Sequence, residues 1–194
     1  RARIASGRGL KEAGDAIQAA FQREADMTPR MKASLYVAKA ELELFEQKFD
    51  EAIATAQKAV DVDPTYPWSY AVQAKAQAAK KDAAAFASWD KAIEADPYVA
   101  AFYYDATRSL LAAELDQNRA LSYLEKYPLK KDDKYFLAYG NALRAVGRLD
   151  DALARYEDGI KVNEVNGDLY VAQANVLRTQ EKYDEAEKAL EKAQ

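Results

Sequence analysis

Residues 139–162 read YGNALRAVGRLDDALARYEDGIKV, and this stretch decides the fold. On each side of Gly147 the apolar and small residues return every three or four positions, the spacing of two amphipathic helices joined by a short turn. Gly147 suits that turn because a positive φ is cheap for glycine. Asp150-Asp151 then stand where the second helix opens, and carboxylates suit the positive end of a helix dipole.

The same arrangement recurs along the chain. An aromatic residue returns at Tyr36, Tyr70, Tyr103, Phe136 and Tyr170, at intervals of 34, 33, 33 and 34 residues. Four positions after each comes a small one: Ala40, Ala74, Thr107, Gly140 and Ala174. A second small residue follows at Ala52, Ala85, Ala120, Ala152 and Ala186, and Pro64 and Pro97 close the first two units. The small residues let two helices approach closely, while the aromatic, one turn back on the same face, fills the gap to the next pair. Asp50-Glu51 and Asp184-Glu185 open second helices as Asp150-Asp151 do, and each proline ends a helix. One such unit cannot bury its own apolar face, so neighbours must stack. The pattern predicts helix pairs near 33–46 with 49–62, 67–80 with 82–95, 100–114 with 117–127, 133–146 with 149–162, and 167–180 with 183–193.

Two units depart from the pattern. The second has Asp82-Ala83 where others carry Phe49, Leu149 and Tyr183, and lacks one residue, which predicts a tighter helix turn. The third has an extra residue before Ala120, stops its second helix at Tyr127-Pro128, and continues through the polar run Lys130-Lys131-Asp132-Asp133. A local break in pitch is expected there.

The stretches FDEAIATAQKAVDVDP (49–64), YGNALRAVGRLDDALARYEDGIKV (139–162) and YVAQANVLRTQEKYDEAEKALEKA (170–193) resemble the tetratricopeptide repeat, a helix–turn–helix of about 34 residues. The resemblance covers residues 33 to 194. It implies an all-α, right-handed superhelical solenoid whose first helices line a concave, peptide-binding groove. Five repeats follow at 33–66, 67–99, 100–132 (irregular), 133–166 and 167–194. Residues 1–32 are expected to be a terminal stretch with Arg1, Arg3 and Arg8, then a helix carrying Leu10, Ala13, Ile17, Ala20 and Phe21. That helix reads as the remnant of a preceding repeat. At the other end, the natural chain is expected to continue past Gln194, since arrays of this kind carry a polar capping helix.

Composition narrows the chemistry. A net charge of −4 and a pI near 5.1 give no general affinity for nucleic acid or membrane surfaces. No apolar run approaches the roughly 18 residues of a membrane span. With no His and no Cys, the usual general base, thiol nucleophile and soft metal ligands are missing. The glycines form no phosphate loop, and Asp61-x-Asp63 and Asp132-Asp133 read as helix-end caps. A non-enzyme with no cofactor and no metal is expected. A cysteine-free helical array suits the cytoplasm or the periplasm equally.

The resemblance also places the groove, on first-helix residues flanking the small position. They are Val37, Ala71, Tyr104, Leu137 and Val171; then Glu41, Lys75, Arg108, Asn141 and Asn175; then Leu44, Ala78, Leu111, Arg144 and Arg178. The N-terminal half should be apolar and aromatic, with Val37, Leu44, Phe45, Trp68 and Tyr104. The C-terminal half should be cationic and amide-rich. The contact residues expected are Trp68, Lys75, Tyr104, Arg108, Asn141, Arg144, Asn175 and Arg178. Arginine forks bind carboxylates in two-point fashion and Asn pairs with extended backbone, so a protein or peptide ligand is expected, and acidic residues in it would suit the arginines. Co-chaperone members clamp a C-terminal carboxylate with Lys-x-x-x-Asn and Lys-x-x-x-Arg pairs. The pairs here read Val37/Glu41, Leu137/Asn141 and Val171/Asn175, which argues against the Hsp70 or Hsp90 tail as partner. Three functions fit: a scaffold or adaptor of bacterial type, an assembly or secretion chaperone for pilus or envelope biogenesis, or a substrate-recruiting domain of a larger enzyme.

Overall fold

Thr28 opens the first full repeat, its hydroxyl accepting the Met31 N–H at 3.3 Å while Pro29 takes a first-turn position. From there the computed structural model is helical throughout its regular elements; it describes residues 7–129 and 131–193. The expectations for Arg1, Arg3 and Lys130 fall outside the described residues. Helix α1 (Gly7–Phe21) and a 3₁₀ turn (Glu24–Asp26) precede the repeats. Then come α2 (Pro29–Phe45) with α3 (Phe49–Val62), α4 (Pro67–Ala79) with α5 (Ala84–Ala95), and α6 (Ala100–Ala112) followed by α7 (Gln117–Glu125). Next are α8 (Asp133–Ala145) with α9 (Leu149–Val162), and α10 (Gly167–Thr179) with α11 (Tyr183–Lys192). Every predicted helix is found; α2 begins four residues earlier than expected, at Pro29, and every other end is shifted by no more than two residues.

All five turns inside the repeats have one construction. The residue two past each first helix has a positive φ: Gln47, Lys81, Glu114, Gly147 and Glu181. Its N–H bonds back three residues and the next N–H bonds back five, as in Gln47 N–H to Leu44 O (3.1 Å) and Lys48 N–H to Glu43 O (2.8 Å). This is the Schellman arrangement, which satisfies the orphan carbonyls of a helix end. The tighter turn expected in the second repeat is not there. Lys81 N–H to Ala78 O and Asp82 N–H to Gln77 O repeat the same pair at 2.8 and 2.9 Å. The difference comes after the turn. Phe49, Leu149 and Tyr183 begin their helices directly, whereas α5 and α7 start one residue later: Asp82 accepts the Ala84 N–H from just ahead of the Ala83 cap position, and Asp116 caps α7 by accepting the Arg119 N–H.

The chain divides into two bodies, Arg1–Leu115 and Asp116–Gln194, and the division falls in the turn of the third repeat. In both bodies the recurring small residues lie at the helix crossings: Ala40, Ala52, Ala74, Ala85, Ala152 and Ala174 are wholly buried. Tyr70 and Tyr103 also tie their hydroxyls to the carbonyls of Pro64 and Pro97, both at 3.1 Å, so each ring anchors the loop that precedes it. In the C-terminal body a β-carbon on Gly140 would lie 2.3 Å from the Tyr156 ring, the closest approach among the described glycines. The irregular third repeat supplies Tyr127, which stacks on Tyr135 with centroids 5.2 Å apart, and Tyr135 donates to the Leu124 carbonyl.

Candidate functional site

In the N-terminal body, register places Trp68, Lys75, Tyr104 and Arg108 on the first helices α4 and α6. Trp68 packs edge-on against Phe102 with centroids 4.8 Å apart. Lys75 Nζ lies 2.6 Å from Asp105 Oδ2, and Arg108 Nη2 lies 2.9 Å from Asp105 Oδ1. Burial pushes the Asp105 carboxyl up, but the two cations outweigh it and hold the group below the usual carboxylate range. Both cations of this half of the expected ladder are therefore engaged by one acid. Asp105 was missed at the sequence level, although its place three residues before Arg108 on one helix face was a readable signal.

A cavity of about 590 Å³ opens beside this ion pair. Trp68, Ala38, Ala101 and Leu42 give it apolar lining, and Glu41, Lys75 and Asp105 give it charge. Helix α1 contributes a wall through Ala13, Ala16 and Ile17. Val37, expected on this surface, is instead 7% exposed and packed among Ala33, Ala40, Ala56, Ala59 and Val72. At its register position the neighbouring helices crowd in, so a branched apolar side chain is more stable inside. Phe45 does reach solvent, at 56% exposure.

In the C-terminal body, Asn141 and Arg144 on α8 and Asn175 and Arg178 on α10 occupy equivalent positions 34 residues apart, and all four are exposed. Asn141 Oδ1 accepts from the Tyr156 hydroxyl at 2.9 Å, which fixes the amide orientation. Burial raises the Tyr156 pKa, while Arg144 beside it acts in the opposite direction. Arg144 and Arg178 lie in the last turns of their helices, where a cation suits the negative dipole end. Neither is paired with a carboxylate among the described residues. Nearby, Tyr139 donates to Glu125 at 3.0 Å, and burial together with that bond pushes its pKa up to about 12.

Among the described residues no three His, Cys, Asp or Glu side chains are placed to hold a metal ion, and no helix is long and apolar enough to cross a membrane.

The tetratricopeptide-repeat family model matches residues 33–66 and 167–194. No curated protein matches the sequence. Among solved structures, the chain is similar to PilF of Pseudomonas aeruginosa, with 15% identity and a TM-score of 0.65, covering 86% of this chain and 77% of that one. It is similar to the C-terminal part of a TPR repeat-containing protein from Cytophaga hutchinsonii, with 18% identity, a TM-score of 0.67, and coverage of 95% and 74%. A third is YrrB, described as a TPR protein with an unusual peptide-binding site, with 21% identity, a TM-score of 0.55, and coverage of 92% and 90%. At these identities the likeness speaks to the fold. Five helix pairs in one register, one turn construction repeated five times and the family match over the first and last repeats show an array built of tetratricopeptide-type repeats.

Proposed function

We propose that this chain is a non-catalytic interaction scaffold that holds an extended, acidic segment of a partner protein on the exposed face of α8 and α10. One observation supports this most. Asn141 with Arg144, and Asn175 with Arg178, form two equivalent amide–guanidinium steps on adjacent first helices, and the arginines have no carboxylate partner among the described residues. A strand of peptide offers backbone to the amides and carboxylates to the guanidinium forks. Within the N-terminal body, the Trp68 cavity is a separate surface that takes an apolar side chain of a partner, beside an Asp105 that engages both Lys75 and Arg108.

The test is a peptide array probed with the purified protein. Acidic peptides should be retained by the wild type, and Arg144→Glu with Arg178→Glu should weaken them at least roughly tenfold, since charge-assisted bonds are worth about 1.5–3 kcal/mol each. Helicity should be unchanged by circular dichroism. Acidic-peptide binding that survives the reversal at low ionic strength, where charge effects are largest, places the partner on another face.

A further inference from the structure

Helix α1 is held differently from every other helix. Among its described side chains, residues 9–21, none is fully buried, whereas each later α-helix buries at least two. Its apolar stripe is divided between two voids. Gly14, Ile17 and Phe21 face a cavity of about 430 Å³ on one flank, and Ala13, Ala16 and Ile17 face the 590 Å³ Trp68 cavity on the other. Its contacts with α2 include the Phe21 ring against Tyr36 (centroids 5.2 Å apart), Lys39 over that ring at 5.9 Å, and Gly14 near Leu42. Gly9 and Gly14 also stand inside the helix, where glycine is the least favourable residue after proline.

Poor burial, flanking voids and internal glycines all lower the free energy needed to lift one element while the rest stays folded. We propose that α1 is a hinged wall of the Trp68 cavity, which swings off α2 and yields its place to an amphipathic helix of the partner with the same small-and-apolar stripe. The hinge is the segment 22–28, where the Tyr36 hydroxyl bonds to Glu24 at 3.0 Å and keeps the connection attached to α2. The proposal rests on reading the Trp68 cavity as part of the partner surface, and it is independent of the α8–α10 face.

The chain has no cysteine, so a reducible tether can be placed without side reactions. Gly14→Cys with Leu42→Cys, bridged by a short bis-methanethiosulfonate linker, locks α1 down. The probe is a fluorescein-labelled synthetic peptide of residues 7–22, the sequence that occupies this face of α2 in the structure. The peptide should bind the reduced variant, lose affinity roughly tenfold or more once the linker is closed, and recover it with reductant. Hydrogen exchange on the unmodified protein should show residues 10–21 opening together, on the order of 100-fold faster than residues 51–59. Gly14→Ala, whose β-carbon meets Leu42 at an ordinary 3.6 Å, should slow that opening several-fold without any tether. Equal peptide binding with the linker open and closed, no binding in either state, or exchange in α1 as slow as in α3 overturns the proposal. Failure of the Arg144 and Arg178 reversal would leave it standing.

Discussion

The first and fourth repeats place the same backbone around opposite chemistry. Ahead of α4, the loop carries Asp63, held by Arg30 at 2.6 Å and by the Thr65 hydroxyl at 2.6 Å. Ahead of α10, the matching loop carries Asn163 and Asn166, which donate at 2.8 and 2.7 Å to Asp133. Between helices the same exchange occurs: Lys80 pairs with Asp50, and at the equivalent positions Gln180 donates to Asp150. Steric roles also trade places. Ala40 and Ala56 meet in the first repeat, where Gly140 and Tyr156 meet in the fourth. The fold requires that facing side chains fit one another and that each acceptor has a donor, and leaves open which residues supply them.

The hardest test of that rule is Gly140→Leu. With the Tyr156 ring 2.3 Å from where a β-carbon would stand, overpacking should cost about 3 kcal/mol or more, and even Gly140→Ala about 1–3 kcal/mol. The reverse change in the first repeat, Ala40→Gly, removes only one methyl and should cost about 1 kcal/mol. Urea denaturation compares the three, and a Gly140→Leu protein as stable as the wild type would break the assigned register.

The polarity exchange is tested by acid. Hydrogen bonds from Asn163 and Asn166 hold the Asp133 carboxyl below its ordinary pKa, and the Thr65 hydroxyl, with Arg30 behind it, does the same for Asp63. Depressed carboxylates stabilise the fold fully above their unfolded pKa, and that contribution is lost as pH falls through the folded value. Stability should therefore decline on going from about pH 6 to about pH 3, and less steeply in Asp133→Asn than in the wild type. Parallel pH slopes for the two proteins would show that the loop bonds exist without contributing to stability.

How much of this was legible in the sequence depends on the periodicity of each feature. The helix pairs were, because aromatic and small residues recur at fixed intervals and each has one steric job. Asp133 with Asn163 was not, since the two are 30 residues apart and neither position repeats its residue type. On the candidate surface, the Asn141–Arg144 and Asn175–Arg178 steps follow from register alone. The Asp105 clamp on Lys75 and Arg108 depends on how two neighbouring helices approach, and the wall that α1 gives the Trp68 cavity depends on a helix outside the repeat pattern.

The turns give the smallest expected effect and the sharpest comparison. Glycine occupies the positive-φ position only in the fourth repeat, where Gly147 has φ 78° and open space around it. Gln47, Lys81, Glu114 and Glu181 take φ of 57–62° at the matching positions, conformations that L residues adopt at a cost of about 1–2 kcal/mol. Lys81 and Glu114 also face each other at 2.7 Å, an exposed pair worth at most about 1 kcal/mol. Gln47→Gly and Glu181→Gly should therefore stabilise the protein by about 1 kcal/mol each, less the greater freedom glycine gives the unfolded chain. Lys81→Gly should gain less, because it also removes the ion pair. Gly147→Ala should lose a similar amount with no steric contact to blame. If Gln47→Gly leaves the urea midpoint unchanged while Gly147→Ala lowers it, the strain at Gln47 is being relieved by its surroundings, and the five turns are alike in geometry but not in energy.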